Sequence, residues 1–166
     1  MPEAPVIRAA SRSDRSLLLH FHRELYVRYR DQILDPELAP LYAYTDLEQA
    51  LRDDVDAILQ GPQSLALVAE RGGEAVGYIT GHIENDRRRL LPKRGVVEDW
   101  YVDDGARGEG VGHALLEALT EHFTRSGCDV VESGTWAFNS GARAAHARAG
   151  FVEIEVRFRK ILKTPP

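Results

Sequence analysis

The sequence predicts one α+β domain, a mixed sheet with helices packed on its faces. Three observations carry this. A chain of 166 residues suits one core and leaves little room for a second. Apolar residues recur at helical spacing in some stretches and alternate, or run together, in others. The two kinds follow one another in the order β-α-α-β-β-β-α-β-α-β, with no repeat and no interdomain linker, so a single domain is expected over 1–166 with its core in about 5–162.

Taken in order, Val6–Ala9 reads as a short strand. Ser13 or Asp14 is placed to cap the next helix, where Leu18, Phe21, Leu25 and Tyr29 share a face. Asp35–Pro36 ends it, because proline disfavours helix in the residue before it. Leu38–Tyr44 is an aromatic loop. Thr45 or Asp46 caps a second helix with Leu47, Leu51, Val55, Ile58 and Leu59 on one face, stopped by Gly61–Pro62. Ser64–Glu70 and Ala75–Ile83 are strands joined by the hairpin Arg71–Glu74. A basic loop, Arg87–Arg94, leads to a strand over Val96–Val102, the turn Asp103–Gly105 and an amphipathic helix whose face carries Val111, Ala114, Leu115, Ala118, Leu119 and His122. After Ser126–Gly127 come a strand over Asp129–Trp136, an Ala-rich helix over Asn139–Ala149 closed by Gly150, and a last strand over Phe151–Leu162. That last stretch alternates, with Val152, Ile154, Val156 and Phe158 on one face and Glu153, Glu155, Arg157 and Arg159 on the other. Thr164–Pro166 is a loose tail.

Composition narrows the function classes. Hydrophobic residues make up 43% and charged residues 28%, as in a globular protein rather than a disordered one. A net charge of −5 argues against nucleic acid as partner. The single cysteine, Cys128, excludes an internal disulfide framework and fits a reducing cytosol. The start, MPEAPVIRAA, carries no long apolar run, so no signal peptide is expected. No stretch approaches the ~20 apolar residues of a membrane span, and a cytoplasmic location with no membrane partner follows as the expectation.

The stretch that organises the chain runs from Val96 to Leu119. An apolar strand turns through Asp103–Asp104–Gly105 and Arg107–Gly108–Glu109–Gly110–Val111–Gly112 into a helix. Free N–H groups at a helix N-terminus, with the positive end of the dipole, make a site for phosphate. A Walker A loop would follow its second glycine with Lys and Ser/Thr, but Gly110 is followed by Val111 and Gly112. A dinucleotide fingerprint counted from Gly108 needs glycine where His113 stands; Asp129 or Glu132 could serve as its acidic residue, but only one βαβ unit is present.

What remains is Arg107-x-x-Gly110-x-Gly112 between a strand and a helix, which resembles the acyl-CoA-binding motif of the GNAT superfamily of N-acetyltransferases. A second region, Asn139-x-x-Ala142-x-x-Ala145-His146-x-x-x-Gly150-Phe151, is similar as well, and the order of elements fits from Val6 to Leu162. The resemblance implies a mostly antiparallel sheet with helices on both faces and one splayed parallel strand pair. It implies acetyl-CoA as acyl donor, and the histidine spacing leads to the expectation of no metal. The loop Arg107, Gly108, Glu109, Gly110, Val111, Gly112 would hold the pyrophosphate, with Gly110 and Gly112 bare so that phosphates can approach. The N–H of Val102 would meet the thioester carbonyl, and Asn139 the pantetheine arm; Asn139 is equally a plain N-cap.

The implied reaction is direct attack of a primary amine in a ternary complex. An alkylammonium of pKa ~10.4 must first lose a proton, so a base or water chain is needed. Glu98 and Asp99 are the candidates, and alternation lets only one of them face a given side of the sheet. Glu98 is the preferred one; a sheet-face charge bonded to a neighbour explains it equally. Where relatives carry a tyrosine that protonates the thiolate, this chain has His146, either an acid or a filler.

The acceptor is open: a small-molecule amine, or the amine of a protein or peptide. A CoA-binding sensor without turnover is the alternative, and a homodimer through the last strand is possible by family analogy. Tyr42 and Tyr44 are candidates for the acceptor pocket, while Tyr29 reads as core. The arginines of 87–89 read as a solvated loop or an attraction for acidic groups. Cys128 reads as a small buried residue, and the histidines show no metal spacing.

Overall fold

The computed structural model describes Glu3–Lys163; the loose tail at Thr164–Pro166 lies outside the described residues. The elements are β1 (Val6–Ala9), α1 (Arg15–Arg28), α2 (Leu47–Gln60), β2 (Ser64–Arg71), β3 (Glu74–Asn85), β4 (Lys93–Val102), α3 (Val111–Arg125), β5 (Val130–Ser133) and α4 (Ser140–Arg148). Five strands form one sheet in sequence order. The first three pairings are antiparallel and β4–β5 is parallel. No helix among the described residues is long and apolar enough to cross a membrane.

Alternation in the strands builds two cores on opposite faces. Leu67, Ala69, Ile79 and Val97 pack under Val111, Leu115, Leu119 and Phe123 of α3. Ala66, Val68, Tyr78 and Tyr101 pack under Leu18 and Phe21 of α1 and Val55 of α2. Each face removes the apolar side of an amphipathic helix from water, at roughly 25 cal/mol per Å² of apolar surface. The sheet runs close beneath α3. A Cβ on Gly95 would stand 2.3 Å from the buried Phe123 ring, so glycine there lets strand and helix approach.

Several local readings are refined. Asp14 holds the N-cap position of α1, but its carboxylate accepts from Arg8 and from the Ser11 backbone N–H instead of capping that helix. Asp46 does cap α2, accepting from Gln49 N at 2.9 Å. After α1 the chain makes a wider turn over Tyr29–Ile33 before Pro36. Lys93 and Arg94 belong to β4 rather than to the basic loop, and Arg94 is held by Glu84 and Glu132. β5 stops at Ser133, short of Trp136.

The last strand does not form. Phe151–Leu162 joins no ladder; Phe151 rests against the α3 core, while Val152, Ile154, Val156, Phe158 and Leu162 stand in solvent. Alternation gave the segment a strand pattern, but the described residues offer it no paired neighbour.

Candidate active site

The site is made where β4 changes face. Ile79 pairs with Trp100 and Gly81 pairs with Val97, so Thr80 alone opposes both Glu98 and Asp99. This is a β-bulge, two residues against one. Val97 and Tyr101 lie four apart, which simple alternation puts on one face, yet they sit in opposite cores. The bulge shifts the parity between them. It corrects the expectation that only one carboxylate can face a given side, since both reach the α1/α2 face. They line a cavity of about 400 Å³ with His22, Asp54, Ala57, Ile58, Ser64 and His82.

Their surroundings differ. The Asp99 backbone N–H donates to Thr80 Oγ1 at 3.1 Å, and Thr80 is wholly buried. Asp99 Oδ2 lies 3.3 Å from His22 Nδ1, while His22 Nε2 lies 3.0 Å from Asp54. Burial by itself lowers the His22 pKa; the hydrogen bond and charge of Asp99, then of Asp54, outweigh it and push the pKa up to about 9. His22 is therefore a cation at neutral pH, clamped between two carboxylates. Glu98 is less tied. It faces His82 Nδ1 at 3.2 Å, and His82 turns its other nitrogen to Glu84 at 3.0 Å. Burial, only partly offset by His82, raises the Glu98 pKa above the ordinary carboxylate range.

Beyond the bulge β4 leaves β5, because the parallel pairing ends at Val97–Ser133. Asp103 N donates to Val76 O at 2.9 Å. By the alternation of an antiparallel ladder, the N–H groups of Trp100 and Val102 then point away from β3, toward the gap β5 has vacated. The sequence singled out Val102 for that edge; Trp100 shares its orientation and lies two residues nearer Glu98. An aromatic group joins the end of α1 to the segment after β5. Tyr26 stacks on Tyr42 at 4.8 Å, Tyr29 contacts Tyr42, Trp136 and Phe138, and Trp136 contacts Tyr42 and Phe138. Tyr29 is buried, with its hydroxyl unpartnered, and Tyr44 is exposed.

The loop after β4 keeps its helix end bare. Gly110, the N-cap of α3, has φ 84°, and no side chain caps that end. Gly108 is also left-handed, at φ 75°. A Cβ at either would meet nothing within 4 Å, so backbone conformation is what calls for glycine there. Gly112 differs: a Cβ would stand 3.3 Å from Trp100 Nε1, which donates to Gly112 O at 3.0 Å. Its bareness lets Trp100 pack against the first turn of α3. Arg107 turns back, its Nε donating to Val102 O at 2.8 Å. Glu109 pairs with Arg71 of β2. Arg71 Nε and Nη2 are buried without partners, two donors beside the loop that no motif pointed to. Val111 is buried in the α3 core.

His146 ties β5 to α4. Its Nδ1 donates to Ala142 O at 2.7 Å, and its Nε2 lies 2.7 Å from Ser133 Oγ. Its ring meets Trp100 and Phe151 edge-on. Asn139 Oδ1 accepts from Ala142 N at 3.1 Å, the N-cap reading. The acidic cavity and the bare helix end thus lie along one strand and its turn. His22, Asp54, His82, Arg71 and Trp100 had no motif to mark them.

The profile of the acetyltransferase (GNAT) family matches residues 21–151. An aminoglycoside N(6')-acetyltransferase type 1 of Klebsiella aerogenes is 37% identical over 105 residues, covering 61% of this chain and 68% of that protein. A protein of the same name from Stenotrophomonas maltophilia is 30% identical over 124 residues, covering 72% and 81%. The solved structure of AAC(6')-Iy in complex with the bisubstrate analog CoA-S-monomethyl-acetylneamine superposes with a TM-score of 0.72, at 22% identity, over 96% of this chain and 99% of that one. At that identity the likeness speaks for the fold. The profile spans most of the chain and the curated relatives carry the same activity name, so this chain is an acetyltransferase enzyme and belongs to the GNAT family.

Proposed function

We propose that the enzyme transfers an acetyl group from acetyl-CoA to a primary amine of a polycationic small molecule, an amino sugar in chemical class, by direct attack in a ternary complex. The bulge carries this reading, because it gathers Glu98 and Asp99 on one face of the sheet beside Asp54. Three carboxylates against the one imidazolium of His22 leave the cavity net negative, which favours a ligand bearing ammonium groups. The names of the two aminoglycoside acetyltransferases point to the same class.

Glu98 accepts the amine's proton, directly or through water; its raised pKa makes it a better base than an ordinary glutamate. Asp99, fixed by Thr80 and His22, orients the ammonium and supports the cavity's charge. The Trp100 N–H donates to the thioester carbonyl as charge develops on it, and the Val102 N–H pairs with the pantetheine arm as an added strand would. The loop from Arg107 to Gly112 takes the pyrophosphate on the uncapped N–H groups of α3, with Arg71 as a further donor. Asn139 stays a helix cap.

Release of free CoA thiol from acetyl-CoA, followed across aminoglycosides, diamines, amino acids and lysine peptides, tests the reading. Release that depends on the acceptor and is fastest with aminoglycosides is expected. Binding of acetyl-CoA with no acceptor-dependent release would instead make the chain a CoA-binding module.

A further inference from the structure

Two histidines line the acidic cavity, and each lies between two carboxylates. His22, on α1, sits between Asp99 and Asp54. Both of its nitrogens carry protons up to a pH of about 9, so it has no lone pair to offer. His82, on β3, is placed otherwise. Its Nδ1 lies 3.2 Å from Glu98, inside the cavity, and its Nε2 lies 3.0 Å from Glu84. Glu84 does not line the cavity; it stands two residues further along the same strand, where its other oxygen accepts from Arg94 Nε at 2.9 Å.

Hydrogen-bond chemistry gives this row of groups a direction. The bonds from His82 and Arg94 hold the Glu84 carboxyl below the usual carboxylate range, so Glu84 stays ionised and only accepts. Arg94, which also meets Glu132 of β5, balances its charge. His82 Nε2 must then carry a proton. In a neutral imidazole that leaves Nδ1 as a bare lone pair turned toward Glu98. One proton fits between Glu98 and His82, and the reaction supplies it. Glu98 and Glu84 are 41% and 42% exposed in the free chain, but an amine seated in the cavity covers the first and not the second.

We propose that His82 relays the acceptor's proton from Glu98 to solvent at Glu84, a role that rests on Glu98 being the base. An N–H bond of the ammonium breaks and an O–H bond forms on Glu98. That O–H breaks as Nδ1–H forms on His82, giving an imidazolium between two carboxylates. Its Nε2–H then breaks to water beside Glu84, and exchange through water between the ring nitrogens restores the starting tautomer. One proton reaches solvent per amide formed, and the amine's second proton leaves on the thiol of CoA. His82 touches no reacting atom and acts through Glu98. The charged groups around it are Glu84 on its own strand, Glu98 and Arg94 on β4, Glu132 through Arg94, and Asp99, Asp54 and His22 around the cavity; its β2 partner, Ser64, is uncharged.

His82→Gln and His82→Ala, assayed in weak buffer with acetyl-CoA and one accepted amine, are expected to lower kcat about tenfold while both KM values stay within about twofold of wild type. Tm should change little, because partly exposed pairs contribute little. Added imidazole should restore the kcat of His82→Ala in proportion to its free-base concentration and leave Glu98→Gln unmoved. A kcat within about twofold of wild type in both variants would overturn the relay. So would a loss that imidazole does not restore, or one that follows a fall in Tm. Where Glu98→Gln is inactive in those cases, the relay falls and the base stands. Full activity in Glu98→Gln removes the base and the relay with it.

Discussion

Glu98 and Asp99 are chain neighbours with different surroundings, and the difference underlies the separate parts proposed for them. Glu98, raised by burial and tied only to His82, is free to exchange a proton. Glu98→Gln is therefore expected to lower kcat about 100-fold. It also removes the acid limb of the pH profile, which in the wild type lies above the ordinary carboxylate range. His22 links pH to stability in the other direction. Its pKa of about 9 exceeds the ~6.5 of an unfolded imidazole. Its contribution is fully present below ~6.5 and is lost as the pH rises through about 9. His22→Asn should cost about 2 kcal/mol near pH 6, and the gap in Tm between the two proteins should close by pH 10. A gap that widened with pH would reverse the assignment. His146 has both ring nitrogens engaged between α4 and β5. His146→Ala should lower Tm, costing about 1–2 kcal/mol, with a modest loss of kcat. A large kcat loss at unchanged Tm would make it the thiolate's acid. The acidic pair was legible in the sequence, but its geometry was not. A bulge depends on which β3 residue stands opposite, and nothing near Glu98 in the chain identifies Thr80.

The elements were legible wherever one face of a periodic stretch is buried by its own chain. Helix α2 was placed from Leu51, Val55 and the Asp46 cap, and α3 from Val111, Leu115 and Leu119. The β2–β3 hairpin followed from Gly72–Gly73, both at positive φ. The strand at Phe151–Leu162 fails for the converse reason. Its alternation records a preference for pairing, yet among the described residues it pairs with no strand, although β5 ends the sheet with a free edge. The loop between β4 and α3 was recognised from its spacing, though its glycines divide differently than the motif suggests. Gly110→Ala forces a side chain to φ 84°, costing about 1–2 kcal/mol at the mouth of α3. The KM for acetyl-CoA should rise severalfold with kcat little changed, as steady-state kinetics would show. An unchanged KM would remove this loop from the donor site.

At the scale of the molecule, one sheet separates two tasks. The α3 face carries the bare helix end, and the α1/α2 face carries the acidic cavity. Strand β4 serves both, because the bulge turns Glu98 and Asp99 to one side while Trp100 and Val102 stay on the other. The residues proposed for the donor sit in one contiguous motif, which is why the sequence alone could suggest them. The acceptor half draws His22 from α1, Asp54 from α2, His82 from β3 and Glu98 from β4, and only folding brings them together. The central claim, acetyl transfer with Glu98 as base, is tested most directly by comparing acceptor-dependent thiol release in the wild type, Glu98→Gln and Asp99→Asn with one accepted amine. The account predicts a loss of about 100-fold in kcat for Glu98→Gln and a smaller one for Asp99→Asn. Activity of Glu98→Gln within about twofold of wild type across the pH range would contradict it, since removing a general base costs far more.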